Sequence, residues 1–148
     1  MLDSKFFKMI APKVTARFRE FIFGSATAGK SARQVTGKAY PNYSPNYAIE
    51  KRKGTGKRQS SEFAGSKAPV FTGDLMKDFK YSKFILNGFS FGTIRGGVVK
   101  NLADKGRVIS SDRKPLPDKV AKYIIKEANT YVNKELSKVK SKTYNLKN

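Results

Sequence analysis

The chain contains no cysteine and no histidine among its 148 residues, and only 11 Asp or Glu against 31 Lys or Arg. Without thiols there is no disulfide, no Cys nucleophile and no thiolate ligand. Without imidazole there is no His base and no His-ligated zinc. No apolar run approaches the roughly 18 residues that a membrane span requires. Asp3, Lys5, Lys8 and Lys13 punctuate the first twenty residues, so neither an anchor nor a signal peptide is expected there. The scarcity of carboxylates leaves a formal charge of +20, a field that favours DNA, RNA or an acidic protein as neighbour. What is present is enough to fold: 39% of the residues are apolar and 12% are aromatic, with 11 Phe and 7 Tyr.

The run GSATAGKS, Gly24 to Ser31, matches the phosphate-cradling pattern G-x-x-x-x-G-K-[ST]. Such a loop needs a buried strand before it and a helix after it, because the helix N-terminus supplies the oriented amides. Here a helical pattern precedes it, and the following ARQVTGKAYPNYSP is broken by Gly37, Pro41 and Pro45. The run is therefore expected to be a helix terminus entering a loop, with nucleotide binding as the minor alternative.

Leu2, Phe6, Ile10, Val14, Phe18 and Phe21 or Ile22 recur at steps of three and four, predicting an amphipathic helix over about residues 2–23. Asp3 or Ser4 is placed to cap it, Pro12 to bend or divide it at Ala11, and Gly24 to end it. From 24 to 69 the composition turns polar and basic, an extended arm expected to be ordered by packing on another subunit. Within it, SPNYAIEKRKG predicts a short helix with Ser44 as N-cap, Pro45 at the first position and Lys51, Arg52 and Lys53 at its end. KGTGKR follows, adding Lys57 and Arg58 as candidate DNA-facing residues.

Residues 70–110 are expected to carry a sheet and short helices. Val70 to Phe79 predicts a strand end and a turn of helix capped by Thr72. Asn87-Gly88 predicts a two-residue hairpin turn that sets Leu86 opposite Phe89, Phe84 opposite Phe91, Ser82 opposite Thr93 and Lys80 opposite Arg95. The aromatic face of that ribbon could stack on bases, but packing under a helix is the stronger expectation. Val98 to Gly106 predicts a helix closed by glycine, followed by a short strand at Arg107 to Ile109. A last helix is predicted over about 117–139, with Val120, Ile124, Ala128, Tyr131, Leu136 and Val139 as its stripe and Ile125 and Val132 beside them; SKTYNLKN is expected to fray. The chain is thus expected to be one α+β domain, residues 1–148, with long N- and C-terminal helices on a small antiparallel sheet and a long extended basic arm.

Carboxylates are spread thinly. Asp74 and Asp78, four apart, could share a helix face as an acid–base pair, but Asp74 equally suits the first turn of a helix, and no enzymatic activity, metal or cofactor is expected.

The ordered run PNYSPNYAIEKRKG, FTGDLMKDF, ribbon, VVKNLADKGRVI and proline-bounded final helix resembles the neck, or tail-completion, proteins of tailed bacteriophages, also called virion morphogenesis proteins. The matching positions are Ser44, Pro45, Tyr47, Ala48 and Lys51, then Thr72, Gly73 and Leu75, then Ala103 with Gly106. The resemblance implies a structural virion component, assembled in the host cytoplasm, that forms a homo-oligomeric ring between portal or adaptor and tail around the genome. It implies subunit contacts through Tyr43, Ser44, Pro45, Tyr47, Ile49, Thr72 and Leu75. The alternative is a basic nucleic-acid-binding or ribosome-associated protein.

Overall fold

Asp3 begins the first helix, α1 (Ser4–Phe23), by accepting a hydrogen bond from the Phe6 amide at 3.0 Å, and Gly24 ends it at φ 81°, donating its amide to the Glu20 carbonyl. The structure, a computed structural model, describes residues 2–24, 32–53 and 74–145. Phe6, Ile10, Ala11, Val14, Thr15, Phe18, Ile22 and Phe23 are buried along one stripe of α1, which is the central element of the fold. Pro12 does not divide the helix as its sequence position suggests. It and Lys8, whose carbonyl loses a donor to the proline, both face solvent, where water replaces the missing bond.

The second helix, α2 (Pro45–Lys53), follows Ser44 as expected; the Ala48 amide reaches the Ser44 carbonyl at 2.9 Å and the Tyr47 amide its hydroxyl at 3.4 Å. The chain before it differs from the expected arm. Ala32, Val35 and Tyr40 are buried in the core beside Phe18 and Ile22, and the Arg33 amide donates to the Phe21 carbonyl at 2.8 Å. A turn through Gly37, at φ 86°, lets Gln34 bond Lys38 and Ala39. Residues 32–40 are therefore shaped by their own chain. Gly24 to Ser31 beyond its first residue, Lys57, Arg58, the Val70 strand end, Thr72 and Gly73 lie outside the described residues.

α3 (Asp74–Asp78) leads into a two-stranded antiparallel sheet, β1 (Lys80–Ile85) and β2 (Gly88–Gly92). Arg19 of α1 holds this junction, donating to the Phe79 carbonyl at 2.8 Å and the Lys77 carbonyl at 2.7 Å. The hairpin register corrects the expectation. Ile85 pairs with Gly88, Phe84 with Phe89 and Lys83 with Ser90; Ser82 is bulged, and Tyr81 then pairs with Phe91 and Lys80 with Gly92. The turn is Leu86-Asn87, and no non-glycine among the described residues has positive φ. The observed register gathers the Tyr81, Phe84 and Phe89 rings, while Phe89 and Phe91, two apart on one face, reach the core, Phe91 meeting Phe18 edge-on at 4.9 Å between centroids.

α4 (Gly96–Asp104) is closed by Gly106, at φ 73°, whose amide bonds the Ala103 carbonyl. Residues 107–109, expected as a strand, form none. They are extended instead against the 34–35 turn, where the Val35 amide meets the Val108 carbonyl at 3.0 Å and the Val108 amide meets Gln34 Oε1 at 3.0 Å. Ile109 is fully buried.

The last helix, α5 (Asp118–Asn145), starts behind buried Pro117, with Lys114 Nζ on both Asp118 oxygens at 2.9 Å. It continues through 141–145, so most of the tail expected to fray is helical. Val120, Ile124, Ala128 and Tyr131 pack on Phe6, Ile10 and Val14 in a second core cluster, and the Tyr131 hydroxyl donates to Asp3 at 2.9 Å. The result is α+β: a small antiparallel sheet with two long helices packed beside it.

Candidate functional site

The segment predicted to dock is built around Arg107. Its guanidinium lies 4.0 Å from the centre of the Tyr43 ring and donates to the carbonyls of Pro41 (3.0 Å), Asn42 (3.1 Å) and Lys105 (3.4 Å). Arg107 is only 7% exposed, so three carbonyl dipoles and a π face replace its hydration. Burial pushes the Tyr43 phenol up, opposed by the neighbouring Arg107, and pushes the Tyr40 phenol up further. Both phenols stay neutral at physiological pH. The Tyr40 hydroxyl and Arg107 Nε are buried without a hydrogen-bond partner. Tyr43 in turn meets Tyr47 at 4.7 Å between ring centroids.

The structure therefore gathers Tyr43, Ser44, Pro45, Tyr47 and Ile49 on one promontory. Tyr43 and Ser44 serve its construction. Tyr47 and Ile49 point outward, with 40% and 47% of their surface exposed. Leu75 lies elsewhere, half-buried in α3 against the Phe18 cluster. Lys51, Arg52 and Lys53 end α2, and Lys53 is exposed. Arg107 itself was not legible as a determinant. The available signal was a single Arg between a glycine cap and the apolar pair Val108-Ile109.

Asp74 and Asp78 do not form an acid–base pair. Asp78 accepts from Arg95 Nε, and Asp74 occupies the first turn of α3. No group of three or more carboxylates able to hold a metal occurs among the described residues.

Two apolar surfaces extend beyond the core. At the sheet, Leu86 in the turn is 86% exposed, Ile94 beyond the other end of β2 is 90% exposed, and Ile85 and Phe84 next to the turn are partly uncovered. On α5, Leu136 is 54% and Val139 61% exposed, where the predicted stripe outruns α1 beyond Tyr131, and Ile125, beside the stripe, is 61% exposed. A groove of about 380 Å³ lies where Phe7 and Val14 of α1, Phe89 and Phe91 of β2, and Leu116 and Ile124 converge.

No family model matches the chain, and neither a curated protein nor a solved structure matches it.

Proposed function

We propose that the protein is a structural virion component of a phage neck, forming an oligomeric ring between portal or adaptor and tail around the DNA channel. The observation that carries the proposal is the pair of bare apolar surfaces. Leu86 and Ile94 on the hairpin and Ile125, Leu136 and Val139 on α5 are bare on a subunit whose two core clusters are already formed without them. Large aliphatic side chains clustered in water mark contact surfaces. Two different patches on one subunit suit heterologous, head-to-tail contacts, which close into rings when the rotation permits. The ordered resemblance from Ser44-Pro45 through Thr72-Gly73-x-Leu75 to Gly106 supplies the kind of ring, and Tyr47 and Ile49 supply a third docking point.

Native mass spectrometry of the purified chain, alone and with its portal and tail partners, tests the proposal. A closed oligomer of defined copy number, and particles with detached heads and tails when the protein is missing, are expected. A monomer under all these conditions, or normal joined particles without it, overturns the proposal.

The charge supports a second reading, a basic nucleic-acid-binding or ribosome-associated protein. Selective co-purification with ribosomal particles at moderate salt would favour it over the ring.

A further inference from the structure

Four carboxylates of the folded body are engaged in particular contacts: Asp3 with the Phe6 amide and Tyr131, Asp78 with Arg95, Asp118 with Lys114 and Glu135 with Lys138. A set of exposed cations is left over, and the packing of α1 against α5 gathers it. Asp3 meets Tyr131 near the start of α1, and Arg17, farther along, lies 3.9 Å from the centre of the Tyr123 ring, so the two helices run antiparallel. Lys13 stands one helical turn before Arg17 on the same edge. Across the seam, Lys119, Lys122, Lys126 and Lys134 follow one flank of α5 beside Tyr123. All six cations are exposed, and none has an ion pair among the described residues.

At 1.5 Å per residue, Lys119 to Lys134 spans roughly 22 Å, a straight strip of fixed positive charge. Glu20 and Glu127 lie beside it, and Asp118, bound to Lys114, sits at its start next to Lys119 and Lys122. Glu20 lies with Arg17 and Lys119 around a shallow hollow of about 210 Å³.

We propose that this α1–α5 strip binds the phosphodiester backbone of duplex DNA without reading its bases. The proposal deepens the neck reading by giving the channel's DNA a surface. Its assay runs on the isolated chain, so either idea can fail while the other stands. Duplex DNA presents one negative charge per about 1.7 Å of axis, a regular ladder for a straight row of lysines. A protein partner would demand apolar anchors, and between its lysines this flank offers Thr130 and Asn133 instead, Ile125 lying to one side of the row. Single-stranded nucleic acid would demand a bare aromatic for stacking, and the Tyr123 ring is covered by Arg17. The strip shares no residue with Lys51, Arg52 and Lys53, the part of the basic run that the sequence alone marks and that ends α2.

Fluorescence anisotropy of a labelled 30-base-pair duplex with the full chain tests the proposal over a salt range from about 50 to 200 mM. Binding should weaken steeply with salt. The variant Lys119→Gln, Lys122→Gln, Lys126→Gln, Lys134→Gln should flatten the log–log salt slope by roughly three to four and bind at least about tenfold more weakly at 0.1 M salt. A charge-matched control away from the strip, Lys80→Gln, Lys83→Gln, Lys100→Gln, Lys105→Gln, should lose much less. Should the fourfold variant lose its helical circular dichroism, Lys126→Gln, Lys134→Gln serves, with a slope change of about two. Wild-type chain that fails to bind at 50 mM salt overturns the proposal. So does an equal or larger loss in the control, or tighter binding to a single strand of the same length.

Discussion

Arg107 ties three stretches of chain together, because one guanidinium reaches the carbonyls of Pro41, Asn42 and Lys105 while the Tyr43 ring covers its face. Arg107→Met keeps the stem's apolar volume but leaves those carbonyls without their donor. A hydrogen bond from a charged donor contributes about 1.5–3 kcal/mol, so the urea midpoint should fall accordingly. Amide exchange at Tyr47 and Ala48 should accelerate as the promontory loosens. Unchanged protection there would contradict the role given to Arg107.

Asp3 offers a residue with a pH signature. Its carboxyl is held below the usual range by the Phe6 amide first and the Tyr131 hydroxyl second, and Asp118 is held low by Lys114. A depressed folded pKa contributes stability that is present above the unfolded value of about 4 and is lost as pH falls through the folded value. Melting temperature should therefore decline as the solution is acidified below about pH 4. Asp3→Asn, which still caps a helix but cannot titrate, should show a shallower decline. An identical acid limb in the variant would remove Asp3 from the account.

Elements show the division between folding and contact. Phe18 is fully buried and touches the rings of both Phe79 and Phe91, so Phe18→Ala should destabilise by roughly 3–5 kcal/mol in urea unfolding. The hairpin turn and the end of α5 behave differently. Leu86→Lys with Ile94→Lys, or Leu136→Lys with Val139→Lys, removes surface already in water and should change stability by no more than about 0.5 kcal/mol per site. Each pair should lower the oligomeric mass seen in sedimentation. Loss of folding in either pair would show that these side chains support the subunit itself.

The hairpin also shows why one short motif misleads. Asn87-Gly88 is a strong local turn signal, yet the turn is one residue earlier. The observed register brings the Tyr81, Phe84 and Phe89 rings within 5.6, 6.4 and 6.5 Å of one another, and such ring pairs contribute about 0.5–1.5 kcal/mol each. A bulge at Ser82 absorbs the mismatch.

At the scale of the molecule, +20 on 148 residues is a self-repulsion that every folded copy carries. Salt shortens its range to about 10 Å at 0.1 M, so the thermal midpoint of the free chain should rise between about 10 and 300 mM salt. Polyanion binding should respond in the opposite sense over the same range. A thermal midpoint that falls on adding salt would mean that attractive pairs, and not repulsion, dominate the surface.

The sequence by itself determined the two long helices, the capped α2, the glycine-closed α4, the hairpin's existence and the excess of cations. Each follows from periodicity, from a cap or turn residue, or from counting charges, all of which act over a few neighbouring positions. Only the tertiary structure decided the register of the hairpin, the place of Leu75 against the Phe18 cluster, the folding of 32–40 onto α1 and the anchoring of Tyr43 by Arg107. Only it brought Lys13 and Arg17 beside the lysines of α5. These are contacts between groups tens of residues apart, set by which apolar surfaces are buried together, and no local pattern encodes which distant partner a surface will meet.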